Sequence, residues 1–207
     1  MKRYVMKAVS KLLAITVLSL PATAWAANVF NLQQGIAYAN FSSTAGCIST
    51  DVTVIGIEAT SHFPPTQRAL GSTAYVSIIQ SDVCTTFEVL RIAERLVDIA
   101  DQEFKISNNL STATLNTTVP LHDFVTGTDF PVLVNLMWTR TGSLNRANQH
   151  SYQLIAGCKT IFHSQGISAP TEVTGSVSEG VTNYTPEPAI FSNLSSGNSG
   201  NLTFTCQ

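Results

Sequence analysis

Ser111-Thr-Ala-Thr-Leu-Asn-Thr-Thr-Val-Pro-Leu-His-Asp-Phe-Val-Thr-Gly-Thr-Asp-Phe-Pro-Val-Leu-Val-Asn-Leu-Met-Trp-Thr-Arg140 is the stretch from which the fold is read. Ala113, Leu115, Thr117, Val119 and Leu121 occupy every second position of its first half, and Val132, Val134, Leu136 and Trp138 do the same in its second. A period of two places each set on one face of a strand. Thr126-Gly127-Thr128 between them supplies turn chemistry. The reading is a hairpin whose strands each carry one apolar face. Trp138 lies in a strongly apolar run and is expected in the core.

The same pattern extends in both directions. Ile48 to Ala59 carries Ile48, Val52 and Val54 on one face and Ile55 and Ile57 on the other. A strand buried on both sides, as in a β-sandwich, is the expectation there. His62-Phe63-Pro64-Pro65 ends it, and Thr73 to Gln80 makes another strand. Thr141-Gly142-Ser143 marks a turn after the central hairpin. Farther on, Val173 and Val177, then Ile190 and Leu194, then Leu202, Phe204 and Cys206 alternate with polar residues. Gly197–Gly200 reads as a hairpin loop, and the final alternating stretch as a strand tied into a sheet. One segment conflicts with this picture. From Phe87 to Phe104, Leu90, Ala93, Leu96 or Val97, Ala100 and Phe104 recur at helical spacing, and Thr85-x-x-Glu88 forms a capping box. The pattern within 85–104 favours a helix, although Phe87 to Ile92 also serves as a strand.

The N-terminus carries a different signal. Lys2, Arg3, Lys7 and Lys11 precede an apolar stretch from Leu12 to Leu20; Pro21 and then Ala24-Trp25-Ala26 follow. That order is a secretory signal peptide over residues 1–26, cleaved near Ala26. Its apolar stretch falls well short of the roughly 20 residues that span a bilayer. No later stretch reads as a membrane span. Residues 27–207 then form one domain, 181 of the 207 residues, with seven basic against thirteen acidic side chains. A net charge of −6 without any basic run excludes nucleic acid and anionic lipid as partners. Abundant Ser, Thr and Asn with few charges suits an extracellular or periplasmic all-β domain.

Cys47, Cys84, Cys158 and Cys206 all lie beyond the leader. An even number in an exported chain implies two disulfides. Three pairings are possible, and Cys47–Cys84 with Cys158–Cys206 is preferred because it staples each half to itself. A four-ligand metal site needs closely spaced pairs, and the smallest gap here is 37 residues.

Ser111 to Leu115, Val134 to Thr139, Gly142-Ser-Leu144 and Gly175 to Pro188, with the closing Cys206, resemble a group of short, uncharacterised secreted bacterial proteins of β-rich character. The likeness spans Cys84 to the C-terminus. It implies paired strands for 85–106 and brings no activity with it. A weaker likeness is to bacterial fimbrial subunits, which share a signal peptide, a similar length and a cysteine pair placed like Cys47 and Cys84. That likeness implies assembly by strand donation.

Motifs for chemistry are sparse. Ser176-Val-Ser178-Glu-Gly180 approaches G-x-S-x-G but lacks the first glycine that the strained turn needs. Ser178 is read as a polar strand-end residue. His62, His122, His150 and His163 form no metal-binding spacing. His122-Asp123 is the one local pair with acid–base potential, and its simpler reading has Asp123 bonding turn amides. Asp98, Asp101 and Glu103 lack the glycine and spacing of a calcium loop and read as a solvated face. Asn40, Asn109, Asn116, Asn183, Asn193 and Asn201 begin N-x-S/T triplets that a Ser/Thr/Asn-rich chain makes by chance. Among Tyr38, Tyr75, Tyr152 and Tyr184, the polar surroundings of Tyr152 and Tyr184 predict exposed rings able to contact a ligand.

The expectation is a secreted or surface-associated antiparallel β-sandwich with two disulfides. It is expected to be non-catalytic, without cofactor or metal, and to bind a glycan or protein partner. The alternatives are a fimbrial-type subunit assembling by strand donation and a hydrolase with a scattered site.

Overall fold

The computed structural model describes residues 31–63, 66–85, 88–155, 158–186, 191–199 and 203–206. The leader read over residues 1–26 lies outside them. The fold is all-β and antiparallel throughout. Its strands are β1 (Asn31–Ala45), β2 (Ile48–Phe63), β3 (Thr66–Asp82), β4 (Val89–Ile99), β5 (Phe104–Ile106), β6 (Thr112–Asp123), β7 (Thr128–Arg140), β8 (Asn145–Ile155), β9 (Cys158–Glu179), β10 (Thr182–Tyr184), β11 (Phe191–Ser199) and β12 (Thr203–Cys206). Among the described residues no helix is long and apolar enough to cross a membrane.

The central hairpin forms as its alternation requires. Ala113, Leu115, Thr117, Val119 and Leu121 of β6 and Val132, Val134, Leu136 and Trp138 of β7 are all buried. Their intervening neighbours are exposed. Residues 124–127 make the turn. Thr73 to Gln80 lies within β3, and His62-Phe63 closes β2 as expected. The two faces of β2 are unequal. Val52, Val54 and Gly56 are buried, Ile55 and Ile57 only half-buried, and Ile48 is exposed at the strand's start.

The pairings run on from strand to strand until they meet. From β9 the order passes through β11, β1, β2, β3, β4, β6 and β7, and β7 pairs β9 again. Two features permit this. β9 is 22 residues long and changes partners at Pro170: residues 164–170 pair β11, and 171–178 pair β7. Proline has no N–H to give a ladder, so the place where partners change tolerates it. On the other side β4 and β6 share only Ala93↔Asp123 and Glu94↔His122. The sheet is folded over, so strands that do not pair face each other. Phe104 of β5 lies against Gly56 of β2 and Ile106 against Gly35 of β1, where a β-carbon would stand 2.5 and 2.6 Å from those side chains. The Trp138 indole donates to the Tyr38 carbonyl across the core at 2.9 Å. One apolar cluster of alternate residues from β1, β2, β3, β6, β7, β9 and β11 fills the space between.

Residues 89–99 are strand β4, not helix. β3 offers them a ladder from Ser72↔Ile99 to Ser81↔Val89, and Val97 and Ile99 pack against the core from it. The helical spacing of Leu90, Ala93 and Leu96 is coincidental; Leu90 and Leu96 are exposed. Tertiary pairing here overrides a local pattern. Gly197 likewise lies inside β11, paired with Gln34 and Gly166, and is no hairpin loop. Ile190, Leu202 and Phe87 lie outside the described residues.

Cys47 and Cys84 form a disulfide between the β1–β2 turn and the turn that follows β3. The register sets Cys206 directly opposite Cys158 on neighbouring strands, the side chains themselves lying outside what is described. β12 therefore ties the C-terminus to β9, as its alternation predicts.

Candidate functional site

At one end of the fold, three segments meet around a single guanidinium. Arg91 lies on β4, Asp123 closes β6, and Glu179 closes β9. Both terminal nitrogens of Arg91 donate to the two Glu179 carboxylate oxygens at 2.8 Å. That is the paired geometry for which a planar guanidinium is suited. Its Nε lies 3.5 Å from Asp123 Oδ2, an ionic contact without a hydrogen bond. The guanidinium carbon sits 4.1 Å from the centre of the Phe130 ring, within range of a cation–π attraction. The Tyr184 hydroxyl donates to Glu179 at 3.4 Å. The hydrogen bonds from Arg91 to Glu179 hold the Arg91 pKa above its ordinary value, against its partial burial. Burial, with Glu179 nearby, raises that of Tyr184.

The turns beside this ion cluster are fixed by aspartates. Asp123, 5% exposed, accepts from the backbone N–H of Val125 at 2.9 Å and of Thr126 at 3.4 Å. The Phe124 N–H donates to the Ile92 carbonyl at 2.8 Å, holding the β6–β7 turn to β4. Asp82 accepts from the Cys84 and Thr85 N–H groups and from the Thr85 hydroxyl in the disulfide-bonded turn. Bare apolar side chains stand at this end. On the Asp123-bound turn Phe124 is 60% exposed and Val125 56%; Val181, in the β9–β10 turn that follows Glu179, is 99% exposed, and Val89 and Leu90 beside Arg91 are exposed as well.

Burial works to raise the Asp123 pKa, but the Val125 and Thr126 hydrogen bonds and the Arg91 charge outweigh it and hold it below the ordinary carboxylate value. The Cys84 N–H and Thr85 hydroxyl lower that of Asp82. The His122 hydrogen bond, with Arg95 nearby, lowers that of Asp129. A carboxylate whose pKa is depressed by folding adds stability above its unfolded value of about 3.9, and that stability is lost as pH falls toward and through the folded value. Thermal melts should therefore be flat from pH 7 to about 5 and fall steeply below about 4. Asp123→Asn should flatten the acid limb; an unchanged limb would show that Asp123 contributes nothing to it.

The residues singled out in the sequence are dispersed. His122 does not work with Asp123, which points inward at the turn amides. Its Nδ1 meets Asp129 at 2.7 Å on an open surface, its ring edge-on to Phe124, and Arg95 reaches the same aspartate at 3.3 Å. Ser178 lies one residue before the end of β9 and donates to Asn183 at 2.6 Å. Glu103 is not a solvated face residue. It accepts from the Ala100 N–H at 2.7 Å and from the buried Thr117 hydroxyl at 2.8 Å, stapling the β4–β5 turn to β6. Tyr184 is not exposed, contrary to its polar surroundings in sequence: the residue is 8% accessible and joins the core, so it offers no open face for stacking. Its short strand β10 folds against Val177 of β9, which the polar neighbours in sequence conceal. Tyr152 sits in β8 opposite Ile161, and its side chain lies outside the described ones. The Arg91–Glu179 pair is not legible in the sequence, because 88 residues separate its members. The only signal available was an arginine in an alternating strand of a chain with few charges.

No family model matches the chain, and no curated protein or solved structure matches it.

Proposed function

We propose that this is an exported, non-catalytic binding module that holds a protein partner through the end built around Arg91. The observation that carries the reading is the display of Phe124, Val125 and Val181 on turns held by Asp123 and the Arg91–Glu179 pair. Exposed apolar groups on rigid turns cost solvation in the free protein and lose no further freedom on binding. Nearby charges are already paired within the chain, at Arg91 with Glu179 and at Arg95 with Asp129. They need no new counterion when an apolar partner surface covers them. Export rests on the leader read in the sequence and agrees with the Cys47–Cys84 disulfide.

The His122–Asp129 pair stands on an open surface, which gives the hydrolase reading little support. Strand donation gains none from β12, which already pairs with β9 of the same chain.

The test is binding of the labelled chain to the envelope of the cells that export it, measured by flow cytometry. Phe124→Asp and Val181→Asp should each weaken binding by about tenfold or more, the range of anchor residues at interfaces, at unchanged melting temperature. Wild-type binding by both variants would refute the assignment.

A further inference from the structure

Away from that end, four strands carry a trough on the outer face of the sheet. The register aligns Ala147 of β8, Gly166 of β9, Gly197 of β11 and Gln34 of β1 in one row across them. Two residues along, Asn145, Ser168, Ser195 and Ile36 form a second aligned row; on the other side Gln149 lies opposite Ser164. Directly opposed residues share a face, so a row nearly without side chains lies between two rows that have them. The resulting depression has a volume of about 350 Å³, and it continues into a smaller one of about 270 Å³ that shares Gln34, Ala147, Gly166 and Gly197. Small-molecule sites are commonly about 300–1,000 Å³. From β8 to β1 the trough crosses three strand spacings, about 14 Å, the length of a short oligosaccharide.

We infer that this trough binds a neutral oligosaccharide chain. Its floor of glycine and alanine offers flat C–H surface for the apolar face of a sugar ring. Gln34 closes the floor row at its β1 end with an amide, and the walls carry the amides of Asn145 and Gln149 and the hydroxyls of Ser164, Ser168 and Ser195. Each of these groups donates and accepts hydrogen bonds, as sugar hydroxyls require. Among the described residues no carboxylate or lysine lines the trough, and Arg146 at its β8 end is the one charged residue there. A peptide is a poorer occupant. Gly166 and Gly197 each have ladder partners on both sides, so the middle of the floor has no free main-chain groups with which to pair an added strand. This site is independent of the Arg91 end and uses none of its residues.

Isothermal titration of the purified chain with cellotetraose, chitotetraose and mannotetraose tests it. At least one tetraose should bind. Gly166→Val should weaken that binding by about tenfold or more, because its branched side chain fills the floor. A β-carbon at 166 meets nothing closer than 3.9 Å, so the variant should fold. Gln149→Ala, an exposed change, should weaken binding severalfold and carries the test if Gly166→Val does not fold. Phe124→Asp should leave tetraose binding intact. No binding of any of the three sugars, wild-type affinity in Gln149→Ala, or loss of binding in Phe124→Asp instead would overturn the inference.

Discussion

Gly175→Ala should be the most damaging glycine-to-alanine change among the described residues, lowering stability by about 4 kcal/mol or more. Gly175 lies on β9 opposite Leu136 of β7, with φ at +109°, a conformation that L side chains rarely adopt. A β-carbon there would stand 2.0 Å from the Asn135 carbonyl oxygen and 3.2 Å from the Leu136 α-carbon. Both are backbone atoms, so no rotamer change relieves the overlap and one strand must move. The strand that moves is part of the β7–β9 seam, where the folded-over sheet closes on itself and where Val173, Val177 and Trp138 are buried. For a chain of this size the melting temperature should fall by about 10 °C or more. Gly180→Ala is the control. It also has positive φ, +56°, but its β-carbon meets nothing within 4 Å. The left-handed conformation alone costs about 1–2 kcal/mol. Equal losses in the two variants would show that the close approach to Asn135 is not what constrains position 175.

That seam also shows what local sequence can convey. Strands whose burial alternates on one face declare themselves: every residue expected inside β6 and β7 is buried, because period two and a turn suffice to specify a hairpin. β4 misleads because its two faces are unlike. It presents Ala93 to the core while Leu90 and Leu96 stay exposed, so its apolar residues trace a helical spacing without a helix. Only the presence of β3 beside it decides the matter, and β3 is brought there by long-range pairing. The closure through β9 is equally invisible, since no residue marks that one strand serves two partners; Pro170 is the nearest thing to a sign. The site follows the same rule. Asp123 bonding its own turn is a local effect and is readable from the sequence. The capture of Arg91 by Glu179 depends on where β4 and β9 end in space. Tyr184 was expected outside because its neighbours are polar, yet a three-residue strand is enough to turn one ring inward.

Arg91→Ala should lower stability by about 3 kcal/mol and loosen the partner-binding end at the same time. Removing one member of a buried pair leaves the other uncompensated, at about 3–5 kcal/mol. The lower figure applies because the Arg91 and Glu179 side chains keep 17% and 25% exposure. Asp123 loses its countercharge but keeps the Val125 and Thr126 N–H groups. Phe130 loses the cation stacked on it. Arg91→Lys should recover little, because an ammonium cannot meet both Glu179 oxygens or lie flat on the ring. Glu179→Gln should be milder, since an amide still accepts from one nitrogen and leaves Arg91 paired with Asp123. In the double variant the two losses should fall short of additivity by about 2 kcal/mol, the coupling of a charged two-bond pair. Hydrogen exchange supplies the readout that stability alone does not. Amides of 124–127 and 180–182 should exchange faster in Arg91→Ala under conditions where the β2–β3 ladder remains protected. Envelope binding should then weaken through an unanchored Phe124 and Val181, although neither has been changed. A loss below about 1 kcal/mol, with exchange at both turns unaltered, would mean that the turns hold their shape without Arg91 and that the pair is a surface ornament of the fold.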